Sequence, residues 1–251
     1  MEKPVNADPR WELVQDDCVT AMASIESGSV DLVYADPPFA TNLVQRGRTT
    51  NQAYDDRWSG IPEYLDFMTP RIEDMHRVLA EDGAILLHCD WRTSHHLRLV
   101  LDRVFGADRF VNHLVWKYGL GGSSPNRFAR KHDDILYYAR GDERWFEPPM
   151  VPATSRKMAG KLKKATDVLD VPSINNMAAE RTGWPTQKPI ALLRMLVAAC
   201  ARPGGTVLDP FCGSGTALVA AVEGDRRAIG IDRDPTAIEI ARERLLAAKS
   251  A

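Results

Sequence analysis

The chain predicts an α/β fold built on a doubly wound, mostly parallel sheet. Three observations carry that expectation. Short apolar runs alternate with stretches of helical spacing, the pattern of strands joined by crossover helices. Two of the runs stop abruptly at Asp-Pro, in Val30-Asp-Leu-Val-Tyr-Ala-Asp-Pro-Pro-Phe39 and in Thr206-Val-Leu-Asp-Pro-Phe-Cys-Gly-Ser-Gly-Thr216. The 251 residues suffice for one large core and lie within the size range of a single domain.

In chain order, Val30–Tyr34 reads as a buried strand. Ile61–Leu79 has helical spacing, with Pro62 in the first turn, where its missing N–H would be unpaired anyway. Ala84–His88 follows Gly83 as a strand, and His95–Val104 returns to helical spacing. Val111–Trp116 and Ile135–Tyr138 read as strands with no helix between them. Pro189–Ala201 reads as a helix, and its apolar run Met195–Ala201 is too short to span a bilayer. The strand Val207–Asp209, a glycine-rich turn, the helix Ala217–Val222 and the strand Ala228–Asp232 complete the series. Two stretches break the rhythm: the polar Ala40–Trp58, and the proline-containing Gly141–Pro185. Loops of that length in one domain are functional or disordered.

Charge is nearly balanced, at −2, so nucleic-acid binding would need a local basic face. One basic run holds Arg156, Lys157, Lys161, Lys163 and Lys164 without an acid; a second cluster holds Arg127, Arg130 and Lys131. Either could equally be a solvated surface loop. Cys18, Cys89, Cys200 and Cys212 are scattered, with no Cys-x-x-Cys pair and no zinc spacing. They read as reduced thiols of a cytoplasmic protein. The N-terminus carries no apolar signal region.

The two Asp-Pro turns suggest different chemistry. In Asp36-Pro37-Pro38-Phe39 the prolines fix their own φ and supply no N–H, so the turn is stiff and its carbonyls face outward. Asp36 adds an acceptor and Phe39 a flat apolar face, a combination suited to gripping an amino group on an aromatic ring. In Asp209-Pro210-Phe211-Cys212-Gly213-Ser214-Gly215-Thr216 the glycines permit a tight turn and close ligand approach. Asp232 follows Asp209 by roughly 20 residues, the spacing at which an acid binds a ribose hydroxyl pair. Leu218 stands where a dinucleotide fingerprint has its third glycine, and no Gly-Lys-Ser/Thr follows. A nucleoside without a pyrophosphate fits better. Each segment alone also admits a plain reading, as a proline-rich turn or a ligand-free crossover.

Together the segments resemble the amino-group DNA methyltransferases, and their permuted order, catalytic motif first, resembles the beta class. Gln15-Asp-Asp-Cys18, Arg77–Leu87, Leu114–Tyr118 and His132–Tyr138 are similar to further family segments. Glu180–Pro189 is similar to the Tyr-Pro-Thr-Gln-Lys-Pro signature, with Trp184 in place of Tyr. The resemblance runs from about Trp11 to Leu246.

It implies one catalytic domain over residues 1–251, of the S-adenosylmethionine-dependent methyltransferase (Rossmann-like) type, with an antiparallel hairpin at the sheet edge. S-adenosyl-L-methionine would be the cofactor and S-adenosyl-L-homocysteine the product, with no metal required. The expected partners are duplex DNA, a second copy of the chain and a cognate restriction endonuclease, with no membrane. Asp36, Pro37, Pro38 and Phe39 would be catalytic, and Phe39 would stack on a flipped base. Asp17, Cys18, Asp36, Thr186, Lys188, Asp209, Pro210, Phe211, Gly213, Ser214, Gly215, Thr216, Asp232 and Arg233 would surround the cofactor. Thr186 could instead cap the helix that follows. Residues 40–58, with Arg46 and Arg48, would form a DNA-contacting lid, and residues 141–185 a target-recognition insertion. Asp at the head of the catalytic motif favours adenine N6 over cytosine N4. Methylation at cytosine carbon 5 would need a Pro-Cys nucleophile, and none of the four cysteines follows a proline.

Overall fold

Alternation along Val30–Ala35 (β2) shows how the two faces of the sheet are used. Leu32 and Tyr34 enter one hydrophobic core, Val33 and Ala35 the other, because successive strand side chains face opposite ways. The computed structural model describes residues 8–46, 53–119, 123–175 and 178–248. Its main sheet has eight strands. In spatial order they are β1 (Trp11–Gln15), β12 (Arg227–Asp232), β11 (Thr206–Asp209), β2, β5 (Leu79–Cys89), β7 (His132–Ala139), β6 (Phe110–Lys117) and β10 (Val168–Asp170). Only β7 runs against its neighbours.

Helices α1 (Cys18–Met22), α2 (Ile61–Val78) and α3 (Ser94–Phe105) pack on the face of Val33. Helices α4 (Ile190–Cys200), α5 (Thr216–Glu223) and α6 (Pro235–Ala247) cover the face of Leu32. Asp234 begins α6 by accepting from the backbone N of Thr236 at 2.7 Å, and Pro235 occupies the first turn.

From the middle of the sheet, β11 and β12 build outward one way and β2 and β5 the other. The strands that carry the two Asp-Pro turns are therefore neighbours, with Val207 opposite Leu32 and Leu208 opposite Val33. A reversal of strand order opens a crevice beyond the C-terminal strand ends. Both turns lie there.

Most expected elements occur within a few residues of their predicted bounds. Strand β5 begins earlier, at Leu79, which pairs with Val30 across a register shift. The stretch 141–185 contains more structure than its sequence suggests. Met150–Pro152 (β8) and Leu162–Lys164 (β9) form a separate antiparallel pair, and β10 adds one parallel strand outside the β6/β7 hairpin. In residues 40–58, Val44–Arg46 (β3) pairs with Ala53–Asp55 (β4). The fully buried Asp56 anchors that hairpin. Its carboxylate accepts from the backbone N of Ala40 at 3.0 Å and of Thr41 at 2.9 Å, from Thr41 Oγ1 at 2.6 Å and from Trp58 Nε1 at 3.0 Å. Only such a set of donors makes a buried carboxylate tolerable. All four cysteines are buried free thiols. No helix among the described residues is long and apolar enough to cross a membrane.

Candidate active site

A cavity of about 570 Å³ opens where β2 and β11 end. Of the residues expected around a cofactor, Asp17, Cys18, Asp36, Thr186, Lys188, Asp209, Pro210, Phe211, Gly213, Ser214, Thr216, Asp232 and Arg233 line it. Gly215 does not. Its role is in the backbone: φ is +73° at this cap residue just before α5, and a Cβ there would come within 2.8 Å of Ala241 Cβ. Gly213 has φ +49°, and a Cβ would meet Trp184 Nε1 at 2.8 Å. Trp184 thus packs directly on the turn.

Four of the carboxylates that line the cavity have different environments. Asp232 accepts from the backbone N of Gly213 at 2.8 Å and of Asp234 at 2.9 Å. Burial raises its pKa above the ordinary carboxylate value. Asp209 is 3% exposed and accepts from the backbone N of Phe211 at 3.1 Å. Burial, reinforced by the nearby charges of Asp36 and Asp232, pushes its pKa well up. Asp17 caps α1 through Val19 N at 2.9 Å and pairs with Arg71 at 2.6 Å. Both its oxygens are engaged, so its first duty is to hold α1 against α2. Asp36 pairs through Oδ2 with Lys188, whose ammonium also lies 5.1 Å from the Phe39 ring centroid. Asp36 Oδ1 is buried with no hydrogen-bond partner.

Phe39 packs on the His88 ring at a centroid distance of 5.7 Å. His88 is fully buried. Its Nδ1 lies 2.8 Å from Tyr34 Oη, and its Nε2 is 3.4 Å from Asp133 Oδ2. Pro38 lines the cavity, whereas Pro37 and Phe39 do not, Phe39 packing instead on His88.

Thr186 does not cap α4. The cap residue is Pro189, and the first free amide, Ile190 N, donates to Glu180 Oε2 at 2.9 Å. Gln187 ties the same loop together: its Oε1 accepts from Thr182 N at 2.8 Å, and its Nε2 donates to Glu180 O at 2.6 Å. This leaves Thr186 and Lys188 facing the cavity.

Phe67 and Arg71, and also Tyr34 and Asp16 within the recognised segments, were not expected around the cofactor, yet they line the cavity. Nor did the periodicity and motifs single out Arg244, which donates from α6 to Ser214 O at 2.6 Å and to Thr216 Oγ1 at 2.9 Å, pinning the glycine-rich turn. Such partners come from distant parts of the chain and leave no local signal.

The expected DNA-contacting residues fall in three places. Arg127 and Arg130 line a second, polar cavity of about 290 Å³; Lys131 does not. Arg156, Lys157, Lys161, Lys163 and Lys164 are exposed on the β8/β9 pair and its connection, away from both cavities. Arg46 ends β3, but its side chain lies outside the description, and Arg48 lies outside the described residues.

A family model for DNA methylases of the N6/N4 kind matches residues 30–243. The Type II methyltransferase M.EcaI of Enterobacter cloacae is 28% identical over 83% of this chain, which spans 63% of that protein's length. Two solved structures share the fold. The PvuII DNA methyltransferase, titled cytosine-N4-specific, has a TM-score of 0.71 at 15% identity, covering 97% of this chain and 89% of that one. The M1.HpyAVI–SAM complex has a TM-score of 0.66 at 19% identity, covering 94% and 98%. The architecture is thus that of the S-adenosylmethionine-dependent methyltransferases.

Proposed function

The chain belongs to the N6/N4 family of DNA methylases, and from that premise we propose that it transfers a methyl group from S-adenosyl-L-methionine to the exocyclic N6 amine of an adenine flipped out of duplex DNA. The observation that carries the reading is the buried, unpartnered Asp36 Oδ1 beside the cavity. A buried acceptor without a donor is unfavourable by about 1–3 kcal/mol. An amine presented there relieves it.

The cavity's chemistry fits the cofactor. Its volume suits a nucleoside with an amino-acid tail. Asp209 and Asp232 line it, and these two carboxylates favour a ligand with sulfonium and ammonium charges, whereas the Asp36 charge is offset by Lys188. Asp232 is assigned to the ribose hydroxyls. The backbone from Asp209 to Thr216, with Phe211, is assigned to the methionine end. Thr186 closes the opposite side. Asp17, Cys18 and Arg233 contribute wall.

When bound, the cofactor supplies a methyl group already activated by a sulfonium. The remaining work falls to this chain. An exocyclic amine is a poor nucleophile because its lone pair is delocalised into the ring. The Asp36 carboxylate and the Pro37 carbonyl accept its two N–H groups and draw the nitrogen toward tetrahedral geometry. Both contacts strengthen as positive charge develops on nitrogen, which stabilises the transition state. Lys188 occupies Oδ2 and so leaves Oδ1 to the substrate. Phe39, backed by His88, stacks on the base. Holding amine and methyl in line supplies much of the rest.

Asp rather than Ser at the head of the motif supports adenine over cytosine N4. The name of M.EcaI, a Type II methyltransferase, supports a restriction-linked role. The test of the reaction is transfer of label from methyl-labelled S-adenosylmethionine to duplex DNA and to RNA offered in competition. Label in the DNA is expected. Label confined to RNA, or to the protein itself, overturns the reading.

A further inference from the structure

Strand β6 runs parallel with β2, so its connection to β7 leaves the sheet at the same edge as the catalytic turn. In the described part of that connection Phe128 is 98% exposed, more than any other large apolar side chain among the described residues. An aromatic ring left wholly in water gains nothing for the fold. Its neighbours are basic, with Arg127 on one side and Arg130 two residues on.

These arginines are placed near the chemistry. They line the second cavity together with Trp91, Arg92, Asp90 and Asp133. The Arg130 guanidinium lies over the Trp91 ring, 3.4 Å from its centroid. Among the described residues, neither Arg127 nor Arg130 is paired with a carboxylate. The two acids are turned inward and engaged: Asp90 by Arg92, Asp133 by His88 and Tyr118. Asp133 touches His88, and His88 backs Phe39. One buried histidine therefore separates the arginine-rimmed cavity from the aromatic of the catalytic turn.

We propose that Phe128 is a wedge that enters the base stack of duplex DNA when the target base leaves it, with Arg127 and Arg130 on the phosphodiesters beside the gap. The inference rests on the DNA reading above. Extruding a base leaves a hole in the stack, and an apolar side chain that fills it offsets the lost stacking. An exposed phenyl ring flanked by guanidiniums has the required chemistry, since the ring meets base faces while the cations meet phosphates. Its position on a loop beside the catalytic turn lets one docking event serve both.

The wedge matters only where a paired, stacked base must be removed, and the test uses that property. The methylated position is first mapped with the wild-type protein. Oligonucleotide duplexes are then made with that base either normally paired or opposite an abasic site. On the paired duplex Phe128→Ala is expected to lose about tenfold or more in kcat/KM, the scale of one base–aromatic stack. Opposite the abasic site, where extrusion is easier, the loss should shrink to less than about twofold. Phe128→Trp should keep the wild-type preference, and the melting temperature should not move in either variant. An equal loss on both duplexes, or no loss on either, overturns the wedge. Wild-type protein that methylates no duplex overturns the DNA reading itself, and the wedge with it.

Discussion

Two neighbouring strands end in the same dipeptide and put its aspartate to different use. Asp36, after β2, is 15% exposed at its side chain and paired with Lys188, with one oxygen buried and free. Asp209, the last residue of β11, is 3% exposed, bonded by the backbone of its own turn, and makes no ion pair among the described residues. Burial raises Asp209 well above the ordinary carboxylate range. The following residues set the contrast. Pro37-Pro38 offers no amide to the carboxylate before it, whereas Phe211 turns its N–H back onto Asp209. The first turn presents an acceptor to an incoming donor. The second stores a carboxyl that a cation can draw into its charged form.

Removing Asp36 should break the comparison most severely. Asp36→Ala is expected to reduce methyl transfer by about a thousandfold or more while leaving cofactor affinity nearly unchanged, as for loss of a group acting mainly in the transition state. Single-turnover rates and calorimetric affinities on the same preparation check this. Retained turnover would remove Asp36 from the mechanism. Next is its partner. Lys188→Met frees Oδ2 and lets the carboxylate swing, so turnover should fall about 10- to 100-fold, chiefly in kcat. A change confined to cofactor affinity would instead make Lys188 part of the cofactor pocket alone.

The contrast sharpens with Asp209→Asn. The amide keeps the shape and can still accept from Phe211 N, so the melting temperature should hold or rise. Cofactor affinity should fall about tenfold through the lost charge. A fall in turnover with affinity intact would make the two aspartates alike.

The same carboxyl predicts a pH dependence. Asp209 and Asp232 have raised pKa values in the free protein. Their contribution to stability is therefore fullest below the unfolded carboxylate value and is lost as pH rises through the folded one. A bound cation favours the ionised forms, so binding should release protons, and affinity should rise with pH across that window. Calorimetry in buffers of different ionisation enthalpy reads the proton count directly; a count of zero contradicts this account. The smallest effect belongs to the turn backbone. Gly213→Ala puts a Cβ against Trp184 at a positive φ and should lower stability by about 1–3 kcal/mol, measured by denaturant melts. An unchanged midpoint would show that Trp184 can yield.

The features legible in the sequence were local. Strand, turn and acid lie within ten residues of each other at Asp36 and Asp209, and Asp232 ends the next strand, so all three could be read in line. Asp56 could not. It sits in the polar run Asp55-Asp56-Arg57, where nothing marks it as the one residue buried under four hydrogen bonds. Arg71 reaches Asp17 across 54 residues, and His88 reaches Tyr34 across 54. These pairings exist only once the sheet has brought the elements together. Strand β10, three residues long, is too short for alternation to reveal, and it appears only through its pairing with β6.

The most direct measurement is nucleoside analysis by mass spectrometry of unmodified duplex DNA after incubation with the protein and S-adenosylmethionine. The account predicts N6-methyladenine, formed by wild-type protein and absent with Asp36→Ala. N4-methylcytosine would keep the Asp36 chemistry and overturn the base. 5-Methylcytosine would contradict amine methylation altogether.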